Sequence, residues 1–124
     1  MSHRRSLLIV AKPGILRSSL VAVLTSAPEI NVVAQADNLE CASSIVEQHR
    51  PDLVLVANDV NDQDWLVLRQ IKLQFPQTQR VVLVDDVQQK HALELPTAEA
   101  VLLKGAPASN LLAALERMSA DLRG

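Results

Sequence analysis

Five aspartates are the residues of this sequence with the clearest chemical potential. Three form the pattern Asp59-x-x-Asp62-x-Asp64, and the pair Asp85–Asp86 follows a later apolar segment. Clustered carboxylates suit Ca²⁺, because this cation prefers oxygen ligands. The pattern lacks the glycine and the terminal glutamate of a calcium loop, so a solvated acidic loop is the favoured interpretation.

Other chemical motifs are missing from the sequence. His3, His49 and His91 form no pair with ligand spacing, so no metal site is predicted. Cys41 is the only cysteine, which excludes an internal disulfide; we expect it to be a small buried apolar residue. The three glycines form neither a dinucleotide-binding nor a P-loop motif, and there is no nucleophile elbow. We therefore expect no cofactor and no enzymatic activity.

Length and composition predict one globular domain spanning residues 1–124. The chain is 48% hydrophobic and 21% charged, with a net charge of −2 and only 2% aromatic residues. An acidic chain with few aromatic side chains is not typical of a nucleic-acid binder. No apolar run approaches the roughly 20 residues that span a bilayer, and no signal peptide is recognisable. A cytoplasmic protein without membrane contact is expected.

Short apolar runs alternate with helical patterns along the whole chain. Such runs are typical of strands covered on both faces. The predicted strands are Ser6–Ala11, Ile30–Ala36, Leu53–Ala57, Arg80–Val84 and Ala100–Leu103. The predicted helices are Ile15–Ala27, a helix capped by Asn38 that runs to about His49, Asp64–Phe75, Val87–Leu95, and a last helix that includes Leu111–Leu122.

Two of these helices show a clear apolar stripe. In the first helix the stripe comprises Leu16, Leu20, Val23, Leu24 and Ala27. In the last helix it comprises Leu111, Leu112, Leu115, Met118 and Leu122, which leaves Asn110, Ala113, Ala114, Arg117 and Ala120 outside the stripe. Small residues outside a core stripe permit close approach of another helix.

The alternation of strands and helices predicts a parallel five-stranded sheet between two helical layers. Ligand sites in such folds lie at the carboxyl ends of the strands, where the strand order reverses. The residues at those ends are Ala11–Lys12, Ala57–Asn58–Asp59, Asp85–Asp86 and Lys104–Gly105.

The residues at these ends resemble the receiver domain of bacterial two-component response regulators. Three stretches carry the resemblance: LLIVAKPGILRSSL, RPDLVLVAND and VLLKGAPASNLLAAL. They are similar to the first strand with its acidic loop, the third strand with its phosphoacceptor, and the last strand with its lysine. The resemblance covers nearly the whole chain and implies a flavodoxin-like (βα)5 fold with strand order 2-1-3-4-5.

The resemblance also implies that the phosphorylation pocket has degenerated. The acidic pair that holds Mg²⁺ in the family corresponds to Ala11 and Lys12, and the phosphoacceptor aspartate corresponds to Ala57. Alanine has no oxygen for the metal and no carboxylate to attack phosphorus, and Lys12 brings a cation to the place of a dication.

The positions that read out phosphorylation in the family are also altered. Its Thr or Ser corresponds to Asp85, and its aromatic switch residue corresponds to Val101; only its lysine is retained, as Lys104. We therefore expect one dominant conformation. Lys12 either forms an ion pair with Asp85 or Asp59 that replaces the metal charge, or points into solvent.

The function expected from the resemblance is phosphorylation-independent signalling through protein contacts, with a protein partner, an output domain or a second copy. If the natural protein continues beyond Gly124, this is the N-terminal module of a transcription regulator; otherwise it is an adaptor. One alternative is a working receiver in which an alignment slip makes Asp59 the acceptor, which the alternation of side chains disfavours. Another is a small-molecule sensor. Trp65 is either a packing residue or a partner anchor.

Overall fold

A five-stranded parallel sheet forms the centre of the computed structural model, which describes residues 5–57, 62–84, 100–104 and 109–115. The strand order is β2-β1-β3-β4-β5, as expected. The strands are β1 Arg5–Val10, β2 Ile30–Ala36, β3 Leu53–Val56, β4 Gln79–Val84 and β5 Ala100–Leu103. The helices are α1 Ile15–Ser26, α2 Leu39–His49, α3 Asp62–Gln74 and α4, residues 109–115.

The predicted bounds of the strands agree closely with the observed ones. The bounds of β2 and β5 agree with the prediction, and those of β1, β3 and β4 differ by one residue. Asn38 is the N-cap of α2, where its side-chain oxygen accepts a hydrogen bond from the backbone N–H of Cys41. The predicted helix Val87–Leu95 lies outside the described residues.

Side chains that alternate along each strand divide the core into two clusters, one on each face of the sheet. The first cluster joins Leu7, Ile9, Ala11, Leu53, Leu55, Ala57, Val81 and Leu83 to α1 and α4 through Leu20, Leu24, Leu111 and Leu115. The second joins Leu8, Val10, Val54, Val56, Val82, Val84 and Val101 to α2 and α3 through Leu39, Ala42, Val46, Leu68 and Ile71. The predicted three layers are therefore present.

Two buried arginines tie the sheet to a helix on each face. Arg5 donates a hydrogen bond from Nη1 to the carbonyl oxygen of Leu115 in α4, at 3.2 Å. Arg80, which is 1% exposed, donates from Nη1 to the carbonyl oxygen of Leu68 in α3, at 2.9 Å. Burial lowers the pKa of the Arg5 guanidinium from its ordinary value, and the nearby carboxylates of Asp52 and Glu29 partly oppose that effect.

Three predictions about individual side chains are wrong. Cys41 is exposed, because α2 turns Leu39, Ala42 and Val46 toward the sheet and leaves Cys41 on the solvent side. Leu16 is 39% exposed, since it lies in the first turn of α1, directly after the loop that follows β1.

The third concerns α4, where Ala114 is buried, although the pattern placed it outside the core stripe. Elsewhere in the two stripes the burial is graded. Val23, Ala27 and Leu112 are half-buried, whereas Leu20, Leu24, Leu111 and Leu115 are buried. Met118 and Leu122, with Arg117 and Ala120, lie outside the described residues.

Within the described part of the chain, no helix is both long enough and apolar enough to cross a membrane.

Candidate functional site

The carboxyl ends of β1 and β3 lie side by side in the middle of the sheet. Val10 pairs with Val56 in the parallel register, and the N–H of Ala57 donates to the carbonyl oxygen of Val10 at 2.8 Å. The chain leaves β1 for α1 on one face of the sheet and leaves β3 for α3 on the other. The strand order therefore reverses between these two strands, which is where such sheets bind ligands.

Ala11 and Ala57, the first residues beyond these two strands, have buried methyl side chains. Ala11 is 2% exposed and Ala57 is 3% exposed, and both belong to the core cluster on the α1 side. The backbone of Ala11 is bound as well, since its N–H donates to the carbonyl oxygen of Ala36 at 2.9 Å. These two positions add apolar surface and no side-chain oxygen, so they do not fit a magnesium ion.

The two lysines expected at this edge follow β1 and β5. Lys12 is exposed, and Lys104 is half-buried with its N–H donating to the carbonyl oxygen of Val84 at 2.8 Å. Val101 is 7% exposed and packs in the second core cluster. Its side chain is therefore part of the interior.

Several predicted site residues lie outside the described residues. These are Asn58, Asp59, Asp85 and Asp86, with the side chains of Asp62 and Trp65. The carboxylates of the ion pair that was one of two alternatives for Lys12 are therefore outside the described residues. Asp64 is half-buried on α3. Among the residues that are described, no group of three or more His, Cys, Asp or Glu side chains could hold a metal ion.

A polar cluster next to Ala11 was missed by the sequence analysis. Arg17 of α1 donates from Nη1 to the carbonyl oxygen of Ala11 at 3.1 Å and to Asp37 Oδ1 at 2.6 Å. It also donates from Nε to Gln35 Oε1 at 2.9 Å. The sequence did contain a signal for this cluster, because Asp37 directly follows β2. The residues named at the strand ends did not include the end of β2.

One cavity among the described residues lies at the opposite end of the sheet, where β1 and β2 begin. It has a volume of about 240 Å³ and lies between the end of α1, the start of β2 and α4. Its lining includes Arg5, Pro28, Ile30 and Leu112. It is therefore separate from the strand ends at which the resemblance places the phosphorylation pocket.

No protein-family model and no curated protein matches the sequence. Solved structures match it over nearly its whole length. The signal receiver domain of the response regulator NarL from Mycobacterium tuberculosis is 20% identical, with 98% of each chain covered and a TM-score of 0.81. A LuxR-family DNA-binding response regulator from Staphylococcus aureus is 18% identical, with 91% of this chain and 97% of that chain covered and a TM-score of 0.77. The isolated receiver domain of RcsB from Salmonella enterica serovar Typhimurium, in the presence of BeF3⁻, is 17% identical; 94% of this chain and 89% of that chain are covered, with a TM-score of 0.79.

These similarities, together with the strand order and the two helical layers, define the fold as that of response-regulator receiver domains. At the adjacent ends of β1 and β3 in this fold lie the buried side chains of Ala11 and Ala57, which carry no oxygen.

Proposed function

We propose that this chain is a receiver-like regulatory domain that acts through protein contacts and does not depend on phosphorylation of an aspartate. The observation that carries the proposal is the pair of buried alanines, Ala11 and Ala57, at the adjacent ends of β1 and β3. In this interpretation the carboxyl ends of the two central strands, β1 and β3, are part of the core.

The chemistry of phosphoryl transfer supports this proposal. Transfer to a protein carboxylate requires a nucleophilic oxygen, and a divalent cation that neutralises the charge on the phosphoryl oxygens. Ala57 offers no nucleophile and Ala11 no metal ligand, while Lys12 adds a positive charge. Losses in both the nucleophile and the metal site make a partial activity hard to retain.

The packing of Val101 supports a single dominant conformation. A valine has one strongly preferred rotamer in many backbone contexts and is stiff about χ1. Val101 is buried among the apolar side chains of the second core cluster, so its outward rotation would expose apolar surface and leave a void. We therefore propose that this position does not switch between two states.

The partner of such a domain is a protein. One similar structure is described as a DNA-binding response regulator. By analogy, we propose that this chain regulates an output domain, a separate protein or a second copy of itself, and that it does not contact nucleic acid directly, since its net charge is −2. Light scattering across a concentration series tests self-association, and a mass that stays monomeric throughout excludes the homodimer.

The central test is exposure of the purified chain to Mg²⁺ with acetyl phosphate, and separately to Mg²⁺ with beryllofluoride. We expect no mass increase and no Mg²⁺-dependent shift of the backbone amide signals of Ala11 and Ala57. The isolated RcsB receiver domain, which has been studied with BeF3⁻, is the positive control. A stable adduct overturns the proposal, and its loss in Asp59→Asn would identify Asp59 as the acceptor.

A further inference from the structure

The first turn of α1 is held to two strands by one side chain. The guanidinium of Arg17 binds three oxygens: the carbonyl of Ala11 after β1, the amide oxygen of Gln35 in β2, and the carboxylate of Asp37 after β2. The Arg17 side chain is 22% exposed and that of Asp37 is 62% exposed. A planar guanidinium is suited to this role because it directs several N–H groups at once.

The start of α1 has few other attachments within the helix itself. Gly14 is its N-cap and supplies no side-chain hydrogen bond, and no acidic residue lies in the first turn. A side-chain cap and an acidic residue in the first turn each stabilise the start of a helix, and α1 has neither. Ile15 is 87% exposed and Leu16 is 39% exposed, so apolar packing fixes this turn only in part. The contrast with α2, which Asn38 caps, is clear.

We propose that Arg17 is an internal latch that fastens the first turn of α1 to the ends of β1 and β2. Both backbone polar groups of Ala11 are then bound, because its N–H donates to the carbonyl oxygen of Ala36 and its carbonyl oxygen accepts from Arg17. A cation of the chain thereby orders the loop between β1 and α1.

This inference goes beyond the proposed function and does not depend on it. The latch concerns contacts among Arg17, Gln35, Asp37 and the Ala11 carbonyl, which lie beside the β1 end. If the domain also works without Mg²⁺, as proposed above, the latch explains how that edge stays ordered in the absence of a metal. If the domain binds Mg²⁺, the latch still holds α1.

Hydrogen exchange of two backbone amides tests the latch directly. Ser18 N–H makes the first hydrogen bond of α1, to the carbonyl oxygen of Gly14, and Ala11 N–H bonds to Ala36. Phe75 N–H, bonded to the carbonyl oxygen of Ile71 at the end of α3, is an internal reference far along the chain. The comparison of these amides separates local opening from global unfolding.

We expect Arg17→Gln to speed exchange at Ser18 and Ala11 about fivefold relative to Phe75, which is the effect of losing a partly exposed, charge-assisted pair. Asp37→Asn should have a similar effect, and the double variant should add little. Arg17→Lys keeps the positive charge but loses the planar set of N–H donors of the guanidinium, and should give an intermediate exchange rate. Arg69→Gln, an exposed arginine of α3, is the matched control and should change nothing.

Two results would overturn the latch. One is unchanged exchange at Ser18 and Ala11 in both Arg17→Gln and Asp37→Asn. The other is an equal rise at Phe75, which would mean that the pair acts only on global stability. Repeating the measurement with Mg²⁺ and beryllofluoride separates the proposals: an Mg²⁺-dependent adduct in the wild-type chain would refute the proposed function and leave the latch intact.

Discussion

Replacing Ala57 with aspartate supplies the carboxylate that the proposed function takes to be missing there, and it tests whether the surroundings of position 57 accept a charge. Ala57 is 3% exposed and belongs to the apolar cluster that includes Leu55 and Ala11. Its N–H is already bonded to the carbonyl oxygen of Val10. A carboxylate at position 57 therefore enters a core site. We expect Ala57→Asp to destabilise the fold and not to restore phosphorylation.

The loss in the free energy of unfolding has two parts, the burial of a polar group and the burial of a negative charge. Ala57→Asn is the matched variant, because it introduces the polar group without the charge. Burial of a polar amide without full hydrogen bonding should cost about 1–3 kcal/mol. The negative charge should add about 1–2 kcal/mol at neutral pH, because burial favours the neutral acid. For a domain of this size, each kcal/mol lowers the melting temperature by roughly 3–5 °C.

The pH dependence of the stability difference between Ala57→Asp and Ala57→Asn shows which part of the destabilisation comes from the negative charge. Burial raises the pKa of a carboxyl at position 57 in the folded state above its unfolded value, so the unfolded chain loses its proton first as the pH rises. The extra destabilisation of Ala57→Asp over Ala57→Asn is thus absent well below pH about 4 and grows as pH rises through the folded pKa. Chemical denaturation between acidic and neutral pH measures this difference.

Two outcomes would refute this reasoning. If Ala57→Asp is as stable as Ala57→Asn at neutral pH, position 57 already lies in surroundings that accept a negative charge. If Ala57→Asp takes up phosphate from acetyl phosphate with Mg²⁺, this end of the sheet binds the metal although Ala11 and Lys12 supply no carboxylate. Either result would reopen the assignment of this edge as apolar core.

Three further predictions concern the second helix and its ends. Asn38→Ala should lower the free energy of unfolding by about 1 kcal/mol, measured by urea denaturation, whereas Asn38→Asp should be close to wild type, because both Asn and Asp cap helices. Arg50 has φ 46° and lies 5.4 Å from the centre of the Phe75 ring. Arg50→Ala and Arg50→Gly both lose that contact, but the glycine should be about 1 kcal/mol more stable since it tolerates this backbone; equal stabilities would contradict the argument. Cys41 is exposed, so a thiol reagent should modify it fully in the native protein, with no reaction in Cys41→Ser; protection until unfolding would show that it is buried.

Local patterns in the sequence were sufficient to predict the described helices and strands and their succession along the chain. Apolar runs such as Leu53–Val56 and the cap Asn38 act over a few residues, and their physical preferences do not depend on distant parts of the chain. The alternation of strands and helices then restricts the topology, because crossovers between parallel strands have a fixed hand. These rules placed Ala11 and Ala57 at the carboxyl ends of strands, whereas the strand order 2-1-3-4-5, which makes β1 and β3 neighbours, was expected from the family resemblance and is confirmed by the structure.

The tertiary structure decided which face each residue occupies and which distant residues meet. The faces of α2 and α4 depend on how each helix is rotated against the sheet, so Cys41 proved to be exposed and Ala114 buried. The cluster of Arg17 with Asp37, 20 residues apart, exists because α1 returns the chain to β2 beside β1. A periodic pattern records how often a side chain faces the interior, whereas helix rotation and ion-pair geometry result from packing all the layers together.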